Sequence, residues 1–350
     1  MGSRVSTSDF DYEYPREAVA QRPLPDRGAS RMLVLERSTG AVRHRSFGDF
    51  PELLQGGDLL VLNTSRVIPA RLRGLRDNGR EAEILLVHPE PDGSWLAMVH
   101  PGGKLKTGRR VHFGEDAVAE IVDVLRGGVR RVRFSGTLGV ENLMERYGLV
   151  PLPPYIHRPP EAADRERYQT VYAAVNGSVA APTAGLHFTP DILERLDERG
   201  VRRADVVLHV GPGTFKPVEA ADPARHEMHA EWYEIPEETA AAVAQAKRDG
   251  RRVWAVGTTV ARTLESTASG DAAGDAAGVE AGSGWTDLFI YPPYEFRVVD
   301  ALLTNFHLPR STLLMLVAAF AGREQTLAAY REAVAEGYRL FSYGDAMAIG

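Results

Sequence analysis

Between Ala70 and Phe134 the apolar positions come in short runs, "EAEILLVHPEPDGSWLAMVH", "GRRVHFG" and "EIVDVLRGGVRRVRF". The turn pairs Asp92-Gly93, Gly102-Gly103 and Gly127-Gly128 separate them. Short strands with frequent turn signals predict a small antiparallel barrel or sandwich. The flanks read differently. Before this region "DLLVLNTSRV" is an apolar strand running into a polar turn; after it, strands alternate with helices. That alternation predicts an α/β fold whose mixed or parallel sheet is covered by helices.

Three later segments repeat one plan. "RADVVLHV" (Arg203 to Val210) is a buried-strand pattern ending in "GPGTFKP", and "RRVWAVG" (Arg251 to Gly257) ends in Thr258-Thr259 before the helix "VARTLES". "VVDALLTN" (Val298 to Asn305) runs into "FHLP", after which Ser311 is the N-cap of a helix closed by Gly322. Each strand thus delivers a polar cluster at its C-terminal end, the edge of an α/β sheet where ligands bind.

Two further helices are marked by their ends. In "SVAAPTAGLHFTPDIL" (Ser178 to Leu193), Thr189 and Pro190 form an N-cap and N1 pair; Ile192, Leu193 and Leu196 give one apolar face, and Gly200 stops it. "ETAAAVAQAKRDG" (Glu238 to Gly250) has cations in its last turn. "ASGDAAGDAAGVEAGSG" (Ala268 to Gly284) is rich in Gly and Ala and reads as a flexible surface loop.

Composition narrows the chemistry. At 350 residues two domains are expected. With no cysteine, thiolate nucleophiles, cysteine-ligated zinc and iron–sulfur clusters drop out. The start lacks an apolar signal segment and "TLLMLVAAFA" is too short to span a bilayer, so a soluble, cytoplasmic protein without membrane contact is expected. A net charge of −6 argues against a generic nucleic-acid-coating protein. Yet Arg66 to Arg133 holds 13 Lys or Arg against 9 Asp or Glu, which leaves about −10 for the remainder. A local basic surface of that kind can select one RNA.

The candidate site residues sit in the strand-end clusters. His187 lies two residues before a helix cap, where it either satisfies backbone carbonyls or serves a site with the helix N–H groups. "LHVGPGTFKPV" offers His209, Thr214 and a tight Gly-Pro-Gly turn; its glycine spacing is not that of a phosphate-binding P-loop, so Lys216 has no such role. "RHEMHAEWYEI" puts His226 and His229 three apart, with Glu227 and Glu231 near. On a helix these can ligate a metal, although the pattern is not His-Glu-x-x-His. Arg262 follows Thr258-Thr259 and suits bidentate contact with a carboxylate. Asn305, His307 and Arg310 group before a hydrophobic helix.

Taken in order, "FDYEYPREAVAQRPL", "RVIPARL", "YQTVYA", "GSVAAPTAGLHFT", "LHVGPGTFKPV", "HEMHAEWYEI", "VGTTVARTLES", "GWTDLFIYPPYEF", "LLTNFHLPRSTLLMLVAAFAG" and "GYRLFSYGDAM" resemble the S-adenosylmethionine:tRNA ribosyltransferase-isomerase family of queuosine biosynthesis over nearly the whole chain. Two departures stand out: Asn63-Thr64-Ser65 where the family has Asn-Asp-Thr or Asn-Asn-Thr, and a longer Gly/Ala-rich insertion before Trp285.

The resemblance implies a mixed-sheet α/β domain (residues 1–69 and 150–350) interrupted by an inserted antiparallel β-barrel domain (residues 70–149). It implies transfer and isomerisation of the ribosyl part of S-adenosylmethionine onto 7-aminomethyl-7-deazaguanine in tRNA, with release of adenine and methionine. S-adenosylmethionine is then a consumed co-substrate; no separate cofactor or metal is expected, and the protein is expected to be a monomer. On that reading His187, His209, His229 and His307 include the proton carriers. Thr214, Thr258 and Asn305 position the ribose, and Arg262 or Arg310 holds a charged ligand group. Arg71, Arg73, Lys104, Lys106, Arg109 and Arg110 are expected on the tRNA backbone. The competing readings are a metal-dependent hydrolase built on His226 and His229, and a non-catalytic RNA-binding protein.

Overall fold

The computed structural model describes residues 5–215, 217–270 and 277–350. Lys216, the first four residues and part of the Gly/Ala-rich insertion lie outside the described residues.

Nine strands form one mixed sheet. Its centre is four parallel strands in the order Arg202–Leu208, Leu59–Asn63, Val253–Val256 and Ala301–Asn305. The last three of these are buried along their whole length, as strands covered on both faces must be. Beyond Ala301–Asn305 the sheet continues through antiparallel Ala346–Ile349 to Arg31–Leu35 and Val42–Ser46. On the other side Glu231–Ile235 and Gly282–Thr286 add two antiparallel strands and an edge.

The helices start where the sequence says. Thr189 accepts a hydrogen bond from the Ile192 N–H (3.3 Å) at the head of Pro190–Glu198, and Ser311 accepts from the Leu314 N–H (3.2 Å) at the head of Thr312–Ala321. Glu237–Arg248 carries two glutamates in its first turn and two cations in its last, which complements its dipole. Helix Thr258–Ser266 is buried at eight of its nine positions because it packs under the sheet, a burial its few apolar residues do not foretell.

The β-rich region closes on itself. Strands Arg71–Arg76, Glu81–Pro89, Trp95–His100, Arg130–Gly136, Ala117–Val124 and Arg110–Phe113 pair antiparallel in that order, and Leu75 and Arg76 complete the ring against His112 and Val111. The alternating burial along Ala117–Val124 sends Ala117, Ala119 and Ile121 inward, where they meet Leu72, Ile84 and Val132. The fold is thus an α/β mixed sheet plus a six-stranded antiparallel barrel, and the barrel-or-sandwich choice resolves as a barrel.

Two expectations change. The segment read as a flexible loop contributes order at both ends: Ala268–Ser269 pairs with Gly278–Val279, Val279 is buried in the main core, and Gly282–Thr286 is the edge strand. Residues 226–230 are not helical. A short helical turn ends at Arg225 and the strand Glu231–Ile235 follows, so His226 and His229 do not share a helix face, and the hydrolase reading loses its premise. The reason is pairing: Glu231 and Trp232 are taken up by the edge strand rather than by a helix.

Candidate active site

Asn63, Leu208, Val256 and Asn305 end the four parallel strands at one edge of the sheet, and the loops that follow converge there. They surround a pocket whose empty space, counted out to open solvent, is about 620 Å³. Its walls include Thr214, Thr258, Thr259, Asn305, His307 and Phe341. A narrower recess adjoins it, sharing Thr214, Thr258 and Thr259 and adding Arg262 and Phe289. Of the sequence candidates, Thr214, Thr258, Asn305 and His307 therefore face one cavity, and Arg262 borders its annex.

His187 stands behind this wall rather than in it. Its Nδ1 lies 3.0 Å from Ser30 Oγ, and that hydroxyl donates to the Arg27 carbonyl (3.3 Å). Nδ1 therefore carries the proton, and Nε2 accepts from Asn305 Nδ2 at 3.2 Å. The same Asn305 amide also donates to the Phe341 carbonyl (3.2 Å). Both amide hydrogens are thus used, while Oδ1 is buried without a partner in the wall of the cavity. Burial, then the nearby Arg27 and Arg339 charges, pushes His187 down to about 3, which keeps it a neutral acceptor for Asn305.

His307 lines the cavity itself. Burial pushes it down to about 3 as well, so its ring is a neutral base. Nε2 meets Thr304 Oγ1 at 2.7 Å, and the backbone is clamped from two sides, by Tyr12 Oη donating to the His307 carbonyl (2.7 Å) and by Tyr330 Oη accepting from its N–H (3.2 Å). Phe341, also in the wall, holds φ = 69°, a left-handed backbone that is strained for an aromatic residue.

Arg262 and Glu231 form a buried ion pair, Nη2 against Oε2, with side chains 5% and 4% exposed. Glu231 Oε1 also accepts from the Gly211 N–H (2.7 Å) and from Thr214 Oγ1 (3.0 Å). The pair therefore ties the Gly-Pro-Gly turn to the helix after Thr258 and sets Thr214 in the wall. Burial lowers Arg262 to about 10, still a cation at neutral pH.

The other candidates lie outside the cavity wall. His209 is stacked on Trp232 (5.1 Å, 21°), and burial with the nearby His88 pushes it down to about 4. His229 is exposed and packs on the turn, where a β-carbon on Gly213 would lie 2.5 Å from its Cδ2. His226 is turned to Phe289 (5.2 Å). Arg310 donates from Nε to Asp11 Oδ2 (2.8 Å), and its N–H bonds the Phe10 carbonyl (2.9 Å); it pins the N-terminal stretch to the loop after Asn305.

On the barrel, Arg71 and Arg73 flank Glu83 (3.3 and 3.7 Å), and Arg110 pairs with Glu120 (3.1 Å). Lys104, Lys106 and Arg109 are exposed with no ion pair among the described residues. At the departure from the family pattern, Asn63 is wholly buried and bonds both the N–H and the carbonyl of Leu208 (3.1 and 3.0 Å), while the Thr64 hydroxyl bonds the Val206 carbonyl (3.3 Å). That stretch is a tie between two strands.

Sequence reasoning missed Thr259, whose buried Oγ1 has no partner in the cavity wall, and Phe341, whose backbone strain no motif announces. Glu231 appeared only as a neighbour of the histidine pair.

Residues 7–349 match the family described as Queuosine biosynthesis protein. Similar proteins named S-adenosylmethionine:tRNA ribosyltransferase-isomerase come from Heliobacterium modesticaldum (56% identical over 97% of this chain and 98% of that protein) and Natranaerobius thermophilus (51%, over 99% of each). The crystal structure of S-adenosylmethionine tRNA ribosyltransferase from Thermotoga maritima is 41% identical, covers 98% of this chain and 100% of its own, and superposes with a TM-score of 0.55.

Proposed function

The chain belongs to the queuosine biosynthesis protein family, and from that premise we propose that it moves and isomerises the ribosyl moiety of S-adenosylmethionine onto the aminomethyl group of 7-aminomethyl-7-deazaguanine at the tRNA wobble position. The products are epoxyqueuosine-tRNA, adenine and methionine. The observation that supports this most is the strand-end cavity, which is lined by hydroxyl groups and holds two buried, unpartnered oxygens, Asn305 Oδ1 and Thr259 Oγ1. Buried acceptors without partners are costly unless a ligand supplies donors, and ribose hydroxyls and an adenine amino group do so.

The chemistry needs a base first. An alkyl amine with a pKa of about 10.4 must lose a proton to attack, and a proton must leave ribose C5′ beside the sulfonium. His307, in the wall, is the proposed proton carrier between these groups and departing adenine; its depression by burial makes the neutral ring a weak base and the protonated ring a strong acid. Thr214, Thr258, Thr259 and Asn305 hold the ribose. The helix Thr258–Ser266 begins in the cavity wall, and its free N–H groups suit the methionyl carboxylate. His187 acts through Asn305, and Arg262 through Glu231 and Thr214. No cofactor or metal enters this scheme; S-adenosylmethionine is consumed as co-substrate.

The test is direct. Incubation with S-adenosylmethionine and tRNA bearing the aminomethyl base should release adenine and add mass to that nucleoside, and His307→Ala should abolish both while S-adenosylmethionine still binds. Unchanged turnover in that variant would remove His307 from the scheme; no adenine from the unaltered protein would remove the scheme itself.

A further inference from the structure

The seam between the large sheet and the barrel carries a row of aromatic rings that the cavity does not use. Trp285, on the edge strand, is paired in register with Trp232 on the next strand, so their side chains share one face. The His209 N–H bonds the Trp232 carbonyl (2.9 Å) and its ring stacks on Trp232, which extends the row to a third chain segment. Gly177 lets the backbone close over His209: a β-carbon there would lie 2.6 Å from Nε2. At the other end His88 of the barrel meets Trp285 edge to face (4.8 Å, 80°). Trp285 is nevertheless 53% exposed, more than any other large apolar side chain among the described residues.

Exposed cations sit on barrel loops that reach the segment leading into this row. The Arg126–Gly128 turn of the barrel reaches His229, three residues before Trp232, with a β-carbon on Gly127 falling 3.9 Å from the His229 ring. Arg130 is buried beneath the turn and donates to the carbonyls of Gly128 (2.6 Å), Leu105 (2.8 Å) and Gly102 (2.9 Å). It thereby welds the loop of Lys104, Lys106 and Arg109 to the Arg126 turn. The same His229 packs on Gly213, next to Thr214 in the cavity wall. The cation-bearing loops are thus tied to His229, and the stretch from His229 to Trp232 joins the turn beside the cavity wall to the aromatic row.

Rings that accept any base face, beside cations that neutralise phosphates, are the furniture of single-stranded nucleic-acid tracks. We propose that this seam is the track for the single-stranded RNA loop that presents the target base, with Trp285, propped by His88 and continued by Trp232, stacking a nucleobase next to it. The proposal rests on the tRNA reading above. It names residues and a binding mode that the cavity leaves open, and it moves His209 from proton transfer to support of the stacking row.

The test uses the full chain, a synthetic anticodon stem-loop RNA and a blunt RNA duplex of equal charge. Trp285→Ala should weaken stem-loop binding about tenfold or more, the usual effect of removing one stacking ring, while duplex binding and the salt slope stay as they were because no phosphate contact is lost. Trp285→Phe should restore most of the affinity, and His88→Ala should lower it less. In turnover the loss should appear in KM for tRNA, with kcat and S-adenosylmethionine binding retained. Equal stem-loop affinity in Trp285→Ala and the unaltered protein, or equal losses on stem-loop and duplex, would overturn the proposal. Adenine release by the unaltered protein reports separately on the reaction, so failure of the track and failure of the enzymatic reading are told apart.

Discussion

His187 and His307 are buried, neutral and held by named partners, whereas Lys104, Lys106 and Arg109 stand in solvent at the end of the barrel with no ion pair among the described residues. In the strand-end cavity, the polar groups are oriented by others that never reach it: Ser30 sets the His187 tautomer, His187 turns Asn305, and Glu231 places Thr214. On the barrel, half of the expected basic contacts are already occupied by Glu83 and Glu120. One region thus holds its polar groups in fixed geometry, and the other leaves three cations in solvent, which is what the proposed reading requires for reversible, salt-sensitive contact with RNA.

The largest effect is expected at Asn305. Asn305→Ala removes the unpartnered Oδ1 and the partner of His187, and kcat should fall by about 10² to 10³, the loss typical of one preorganised hydrogen-bonding group. RNA affinity should be unchanged. A fall in RNA binding equal to the fall in kcat would mean that the two regions are not separate.

Acid provides the next test. His307 in the cavity wall and His187 behind it both have folded pKa values depressed from 6.5 to about 3, so the unfolded chain binds their protons first. Their contribution is fully present above about pH 6.5 and is lost as pH falls from there towards 3, at up to about 1.4 kcal/mol per pH unit for each. Urea midpoints measured from pH 7.5 down to pH 5 should drop, and His187→Gln should flatten the slope. A slope unchanged by that substitution would show that His187 is not buried neutral.

The smallest expected effects distinguish the two sets of barrel cations. Charge reversal at Lys104, Lys106 and Arg109 should lower the salt slope of tRNA binding by roughly 0.7 to 0.9 per lost phosphate contact. Alanine at Arg71, Arg73 and Arg110 should leave it close to that of the unaltered protein, and because these are surface pairs stability should change by no more than about 1 kcal/mol for each. If the second set moved the slope as much as the first, the pairing with Glu83 and Glu120 would not decide which cations meet RNA.

Much of this architecture was legible along the chain because its signals are local. Thr189-Pro190, Ser311 and Gly322 mark helix ends through bonds to residues three or four away, and the period-two burial of the barrel strands follows from the backbone alone. The spacing of His226 and His229 misled for the same reason: it is compatible with a helix, and nothing local reveals that the edge strand claims the residues just after it. His187 shows the limit most plainly. A turn before a helix cap places it near a site, but whether it touches substrate or a residue that does depends on Asn305, 118 positions away.

The sequence alone carried three of the four strand ends that gather the site, the caps of the main helices, and membership of a family through ordered motifs. Folding alone settled which candidates face the cavity, that Arg262 is held by Glu231, that of the six candidate barrel cations Arg71, Arg73 and Arg110 meet carboxylates while the other three have no ion pair among the described residues, and that Trp285 stands open beside His88. The physical reason is that hydrogen-bond partners, burial and charge neutralisation are properties of pairs. The members of these pairs meet only after the chain has folded, so no spacing within one segment encodes them.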